Sequence, residues 1–423
     1  SLFDRRNAGL RLHHTGLSEI ITDTEFQVYV NAVDHVMDNY SLRTFAPSMM
    51  MPGKTVSNPD RLTYGGRLAF ELDLEAALRL DVGLDHQSNQ HRVRSTMNQD
   101  AMPYSANARV ADAQFHQTGA FAEAAYSFSS DTRFFAGARA DYWSATDQRE
   151  TVRTGMMGTS APNPTANLER STTLPGAFVR AEHDLGSNST IFAGVGHTQR
   201  FPDYWELVSA ESMNSVSGFN TSPETLTQLD LGWLQQHDVL DWSVSLFASR
   251  IDDYILIERN VTKPTGMMNR TRQATVVRSI DAESFGGEIS ATYHLSESWR
   301  GEASLAAVRG SNTTDNLPLA QMPPLESRLG LSYQRPTWSA GVLWRIVAAQ
   351  DRVAVDQGNI VGQDIGTSPA FDVLSLNASW APVPSLRLSA GVDNVFDSTY
   401  AEHISRAGAA VAGFIQTTRV NEP

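Results

Sequence analysis

The chain has 423 residues, enough for two or three domains or one large sheet, and 33 Lys and Arg against 47 Asp and Glu leave a net charge of −14, which argues against a nucleic-acid surface built on general basicity. No stretch approaches the ~18 to 20 apolar residues of a membrane-spanning helix, which excludes helical membrane proteins but not membrane β-barrels, whose strands alternate apolar and polar residues. There is no cysteine, so disulfides, thiolate metal sites and cysteine nucleophiles are excluded within this chain, and a metal must bind through His, Met or carboxylates.

The dominant period along the chain is two, in runs longer than the usual strand of ~5 to 6 residues. About sixteen such segments begin near residues 5, 24, 61, 77, 112, 132, 171, 189, 223, 240, 274, 298, 324, 337, 370 and 385. In the second, Phe26, Val28, Val30 and Ala32 share one parity, while Gln27, Tyr29, Asn31, His35 and Met37 share the other. Further along, Leu78, Leu80, Val82 and Leu84 oppose Arg79, Asp81, Gly83 and Asp85. The same pattern returns as Leu374, Leu376, Ala378 and Trp380, and as Leu386, Leu388, Ala390 and Val392. Short turns such as Ser129-Ser130-Asp131, Gly186-Ser187-Asn188 and Arg335-Pro336 interleave with long connections near 41 to 60, 97 to 111, 150 to 167, 208 to 222, 260 to 273 and 352 to 367. Short turns at one end and long loops at the other are the plan of an outer-membrane barrel, with periplasmic turns and extracellular loops. Trp242, Trp338, Trp344 and Trp380 fall on the apolar parity near strand ends, where interfacial girdles belong. Sixteen amphipathic strands in an open soluble sheet would need a second layer and covered edges, for which the sequence offers no helices; closure in lipid removes both needs.

Three segments carry a family resemblance. Arg200-Phe201-Pro202-Asp203-Tyr204-Trp205-Glu206-Leu207 resembles the Arg-Phe-Pro-x-x-x-Glu-Leu signature of TonB-dependent outer-membrane receptors. Ser222-Pro223-Glu224 with Leu229-Asp230-Leu231-Gly232 resembles their Pro-Glu strand motif, and Asn394-Val395-Phe396-Asp397-Ser398-Thr399-Tyr400 their penultimate-strand motif. His35-Val36-Met37-Asp38-Asn39-Tyr40-Ser41-Leu42-Arg43 and Ala401-Glu402-His403-Ile404-Ser405-Arg406-Ala407-Gly408 resemble the copper-receptor branch more narrowly. The resemblance implies an all-β transmembrane antiparallel barrel of 22 strands, of which residues 1–423 hold about sixteen as a partial barrel domain, with the N-terminal plug and the last strand outside them. It implies residence in the outer membrane of a Gram-negative bacterium, contact with outer-membrane lipid, coupling to the TonB complex through the N-terminal part, and no catalysed reaction. In that branch, a His-x-Met pair of the barrel binds copper together with a Cys-x-x-x-Met pair of the plug.

The residues themselves point to the same chemistry. A spacing of two puts the His35 imidazole and the Met37 thioether on one side of one strand, on the lumen parity. Thioether sulfur is soft, so the pair favours copper, as Cu(I), over Mg²⁺, Ca²⁺ or Mn²⁺. With 11 His and 12 Met in the chain, such spacing also arises by chance, and a lumen-facing His beside a packing Met is the bland alternative. All twelve methionines lie in or beside the long-loop side, and Met49, Met50, Met51, Met97, Met102, Met156 and Met157 are expected to form a loose thioether track toward His35 and Met37. His86 and His91 are candidates to assist a divalent ion, whereas His13, His14 and His294 fall toward the short turns as structural residues. The alternative within transport is a receptor for a siderophore or other metal chelate. An outer-membrane hydrolase would need a Ser/His constellation, and Gly-x-Ser-x-Gly is absent.

Overall fold

The computed structural model describes residues 2–42, 44–47, 52–75, 77–154, 160–265, 270–408 and 418–422. Sixteen long strands follow one another as antiparallel neighbours: β1 (Leu2–Thr15), β2 (Ile21–Asp38), β3 (Val56–Glu75), β4 (Leu78–Thr96), β5 (Val110–Ser127), β6 (Thr132–Asp147), β7 (Glu169–Asp184), β8 (Ser189–Arg200), β9 (Glu224–Gln235), β10 (Leu240–Pro264), β11 (Thr271–His294), β12 (Trp299–Asn312), β13 (Glu326–Gln334), β14 (Trp338–Val347), β15 (Phe371–Val383) and β16 (Leu386–Val392). Each matches one of the sixteen alternating segments. Among the described residues β1 and β16 do not pair with each other, so the sheet is not closed.

The register sorts side chains as the alternation requires. Phe26, Val28 and Val30 are exposed on the outward face, next to Leu68, Gly66 and Tyr64 of β3, and the belt continues through Leu84, Val179, Val195, Leu229, Leu246, Ile289, Leu329, Leu376 and Leu388. An exposed apolar belt of this extent is what lipid covers in an outer-membrane strand array. At the short-turn end, Trp233 meets Trp242 at 4.9 Å, and Trp299, Tyr333 and Trp338 form a chain at 4.8 and 4.6 Å, the aromatic girdle expected there. Trp344 instead lies toward the long-loop end, its indole donating to Asp372.

The inward face has a different order. Five aromatics stand directly opposite glycines of the neighbouring strand: Tyr29 and Gly65, Phe121 and Gly83, Phe178 and Gly137, Phe192 and Gly232, Phe247 and Gly286. A Cβ on any of these glycines would overlap the opposing ring, so the ring lies down in the space a side chain would fill. Arginines cover the rings in turn, with Arg67 4.5 Å above Phe121 and Arg180 4.1 Å above Phe192.

At the long-loop end the sheet is taller than the alternation suggests. The segment 260–273 reads as a loop, yet β10 and β11 run on through it to Pro264 and from Thr271. Register shifts between Ile251 and Tyr254 and between Glu258 and Val261 bend the extension. Asp253 and Asn260 take φ of 56° and 60° there, a backbone that short polar side chains tolerate. Likewise β3 begins at Val56, inside the segment 41–60 read as a loop. Leu256, Ile280, Ala282 and Leu319 make a small core in this apron, and Ala210, Ile255 and Val277 a second. Glu211 ties the segment after β8 to it through Lys263 Nζ at 2.7 Å and both Nη atoms of Arg272.

Candidate functional site

The outward face of β2 to β4 changes character along its length. Val30, Leu62 and Leu84 give way to Asp34, Asp60 and Arg92, which with Arg109 form an ionic network: Arg92 Nη2 reaches Asp60 at 2.6 Å and Arg109 Nη2 reaches Asp34 at 2.6 Å. Charges paired this way mark the edge of the exposed apolar belt, which ends below Asp34. His35 and Met37 lie beyond that boundary, near the outer end of β2, on the parity of Tyr29 and Asn31. The inward direction of that parity is fixed by contacts: Tyr29 Oη donates to Gln87 Oε1 at 3.1 Å, and Arg5 donates to Asn31 Oδ1 at 2.8 Å.

Local structure holds the pair in place. His35 is opposite Phe3 of β1, and the two rings meet edge to face at 5.3 Å. The Asn58 amide donates to the His35 carbonyl at 3.3 Å. Asp38 ends the strand by accepting from the Tyr40 and Ser41 amides at 3.0 and 2.6 Å, an Asx turn that starts the connection to β3. Met37 pairs with Ser57 and is 39% exposed. Among the described residues no three His, Asp or Glu side chains converge as a metal site. The strand thus offers two donors on one face, one imidazole and one thioether.

The other metal candidates separate. Met97 and Met102 are exposed in the connection from β4 to β5, while Met49, Met50, Met51, Met156 and Met157 lie outside the described residues. Met322 packs against the apron core and is plain filling. His86 and His91 do not act together: five positions apart on β4, they point to opposite faces, His86 outward and His91 inward. His91 stacks on Tyr204 at 3.9 Å and 9°. His13 and His294 form pairs with Asp23 and Asp241 near the short turns, as structural residues do. His403, in the second segment that resembles copper receptors, is enclosed: Nδ1 is 3.0 Å from Ser368 Oγ and Nε2 is 3.4 Å from Asp364. Ser368 and Asp364 are only 4% and 0% exposed, so this trio pins the segment after β16 and offers no nucleophile to a substrate. Burial alone would raise Asp364, but the His403 ring and the Ala354 and Gln321 amides outweigh it and hold the carboxyl below its ordinary range.

The Arg-Phe-Pro segment is a clamp, not a cargo site. Asp203 caps the short helix α1 (Tyr204–Val208), accepting from the Trp205 and Glu206 amides at 2.7 and 3.1 Å, while Glu206 accepts from the Asp203 amide at 2.8 Å. Arg200 joins Glu206 at 2.8 Å to Glu224 of the Pro-Glu motif at 3.2 Å. Phe201 stacks on Trp143, and Leu207 and Phe219 are fully buried against Phe115, Ala145 and Leu174 of the inner wall. Tyr204 Oη donates to Asp112 at 2.5 Å; burial and that carboxylate push the phenol well above its ordinary value. The last motif is a turn: Asn394, with φ of 52°, both donates to and accepts from the Ser398 backbone, and Tyr400 stacks on Phe371 at 4.5 Å.

Comparison with curated protein sequences yields no match. Among solved structures, Copper transporter OprC superposes with a TM-score of 0.92 at 42% identity, over 100% of this chain and 66% of its own. The FrpB iron transporter from Neisseria meningitidis (F3-3 variant) superposes at 0.66 with 15% identity, over 99% of this chain and 61% of its own. The ferric yersiniabactin uptake receptor FyuA from Yersinia pestis superposes at 0.67 with 12% identity, over 97% and 58%. At such identity the last two speak for the fold alone, and the chain spans less than two thirds of the length of each of the three. The model of the TonB dependent receptor-like β-barrel matches residues 1–395. With that match across nearly the whole sheet, the chain belongs to the TonB-dependent receptor β-barrel family.

Proposed function

We propose that the chain forms most of the wall of an outer-membrane importer of copper, driven by the TonB complex and catalysing no reaction. The observation that carries the reading is the 42% identity to Copper transporter OprC over the full chain. The remaining third of such a receptor is the proposed source of the plug, the TonB contact and the strands that complete the barrel in outer-membrane lipid. Copper is cargo here. His35 supplies an imidazole nitrogen and Met37 a thioether at the outer end of β2, and the soft sulfur favours Cu(I) over hard divalent ions. The exposed Met97 and Met102 belong to the same proposal, as thioethers that receive the ion before the pair does. No observation favours the reading in which the cargo is a siderophore or other chelate.

The test is the copper content of the full-length receptor purified from outer membranes, against His35→Ala and Met37→Ala. Near-stoichiometric copper in the parent, lost in both variants, is expected. Equal copper in all three, or none in any, would reduce His35 and Met37 to lumen packing.

A further inference from the structure

We propose that His86 of β4 and His116 of β5 form a second metal site, on the outward face of the barrel, for a single divalent ion of the borderline class that imidazoles hold, Cu(II) or Zn(II). The register places His86 opposite Thr118 and His116 opposite Ser88, so the two histidines are diagonal neighbours on one face. Diagonal positions are within reach of long or aromatic side chains. Their rings lie 6.3 Å apart, centroid to centroid, at 22°. Leu84 and Ala120 form the row immediately below, so the pair sits at the upper edge of the apolar belt, where water and headgroup oxygens can complete a coordination shell.

The hydrogen bonding suits a ligand. His86 Nδ1 is 2.8 Å from Thr118 Oγ1. With the hydroxyl accepting from Nδ1–H, the lone pair of His86 lies on Nε2, the tautomer control that outer-shell partners exert on metal-bound histidines. Among the described residues the His116 ring makes no hydrogen bond, and His86 is exposed. Two imidazoles side by side at an exposed surface, one oriented by a hydroxyl and the other uncommitted, are a chelating pair. The ion would bridge β4 and β5 without entering the lumen. This site shares no residue with His35 and Met37, which lie on β2 and face inward.

The experiment uses the full-length receptor, stripped of metal in detergent, with His35→Ala/Met37→Ala as the background so that the proposed cargo site contributes nothing. Copper(II) chloride is added at one equivalent, at a pH where imidazole is unprotonated, and the bound ion is read by electron paramagnetic resonance. The expected result is a tightly bound Cu(II) with nitrogen couplings, abolished by either His86→Gln or His116→Gln. Thr118→Val should weaken it by about 10-fold or more, the usual effect of losing an outer-shell partner. Should a variant fail to fold, diethyl pyrocarbonate labelling of the unmutated receptor, mapped by mass spectrometry, gives the same answer, with Cu(II) protecting His86 and His116 together. A Cu(II) signal without nitrogen couplings, one indifferent to both glutamine variants, or no protection of the two rings would overturn the site.

Discussion

Leu207 offers the sharpest test of how the inner wall holds the segment after β8. Its side chain is fully buried among Phe115, Trp143, Leu174 and Phe219. Leu207→Ala removes three heavy atoms from a site walled by the strand side chains Phe115, Trp143 and Leu174 and by Phe219, so the loss lies within the ~3 to 5 kcal/mol range of Leu→Ala cavities. Taken as about 3 kcal/mol, this raises the population of the opened clamp by roughly 100-fold, at 1.4 kcal/mol per factor of ten. Hydrogen exchange of the full-length receptor reads it directly. The amides of Leu207, Ser209 and Gly218, bonded to the carbonyls of Asp203, Trp205 and Ala210, should exchange about 100-fold faster, while amides of β9 remain unchanged. Trp205→Ala is the control, since Trp205 is exposed and its loss should cost well under ~1 kcal/mol. Acceleration below a few-fold in Leu207→Ala, or equal acceleration in both variants, would refute the account of the motif as a clamp.

Gly232→Ala should place a methyl against the Phe192 ring and cost ~1 to 3 kcal/mol, lowering the temperature at which the folded band is lost in heat-modifiable electrophoresis; adding Phe192→Ala should restore part of it. Burial alone would raise Glu211, but Arg272 and Lys263 outweigh it and hold the carboxyl below its ordinary range. A depressed carboxyl stabilises the fold above its unfolded pKa and loses that contribution as pH falls through its folded value, so the protection of the Glu211 and Val277 amides, taken relative to the intrinsic exchange rate at each pH, should fall on acidification below about pH 4. Glu211→Gln should show fast exchange already at neutral pH, because Lys263 and Arg272 keep their burial without a counter-charge. The proposed copper reading predicts that copper bound at limiting supply falls in a Met97→Ala/Met102→Ala variant while copper bound at saturating supply is unchanged, as metal analysis of whole cells and of purified full-length protein would show.

Sixteen strands are legible in the sequence because period two survives wherever one face is apolar and the other polar, as Leu78 to Asp85 shows. The signal fades where both faces meet water. Asn260, Val261, Thr262 and Lys263 read as a loop, yet they continue β10, with Val261, Thr262 and Lys263 held by pairing with Ala274, Gln273 and Arg272 of β11 that no local pattern announces. Parity does separate His86 from His91, since an odd spacing on a strand sends side chains to opposite faces. Proximity across strands is another matter: the meeting of His86 with His116, of Tyr204 with His91, and of His403 with Asp364 depends on register and on long connections. His35 and Met37 were legible as an inward pair, and the contacts of Phe3 and Asn58 that hold His35 were not.

The glycine opposite each inward aromatic has a geometric consequence for the whole wall. In most sheets, bulk added to one face projects from it, so a stiffer wall is also a thicker one. Here Phe121, Phe178, Phe192 and Phe247 recline into hollows left by Gly83, Gly137, Gly232 and Gly286, and each ring spans two strands without standing proud of them. The lining thereby gains contact between strands from rings that add little height to the wall, and what rises above Phe121 and Phe192 is the layer of Arg67 and Arg180.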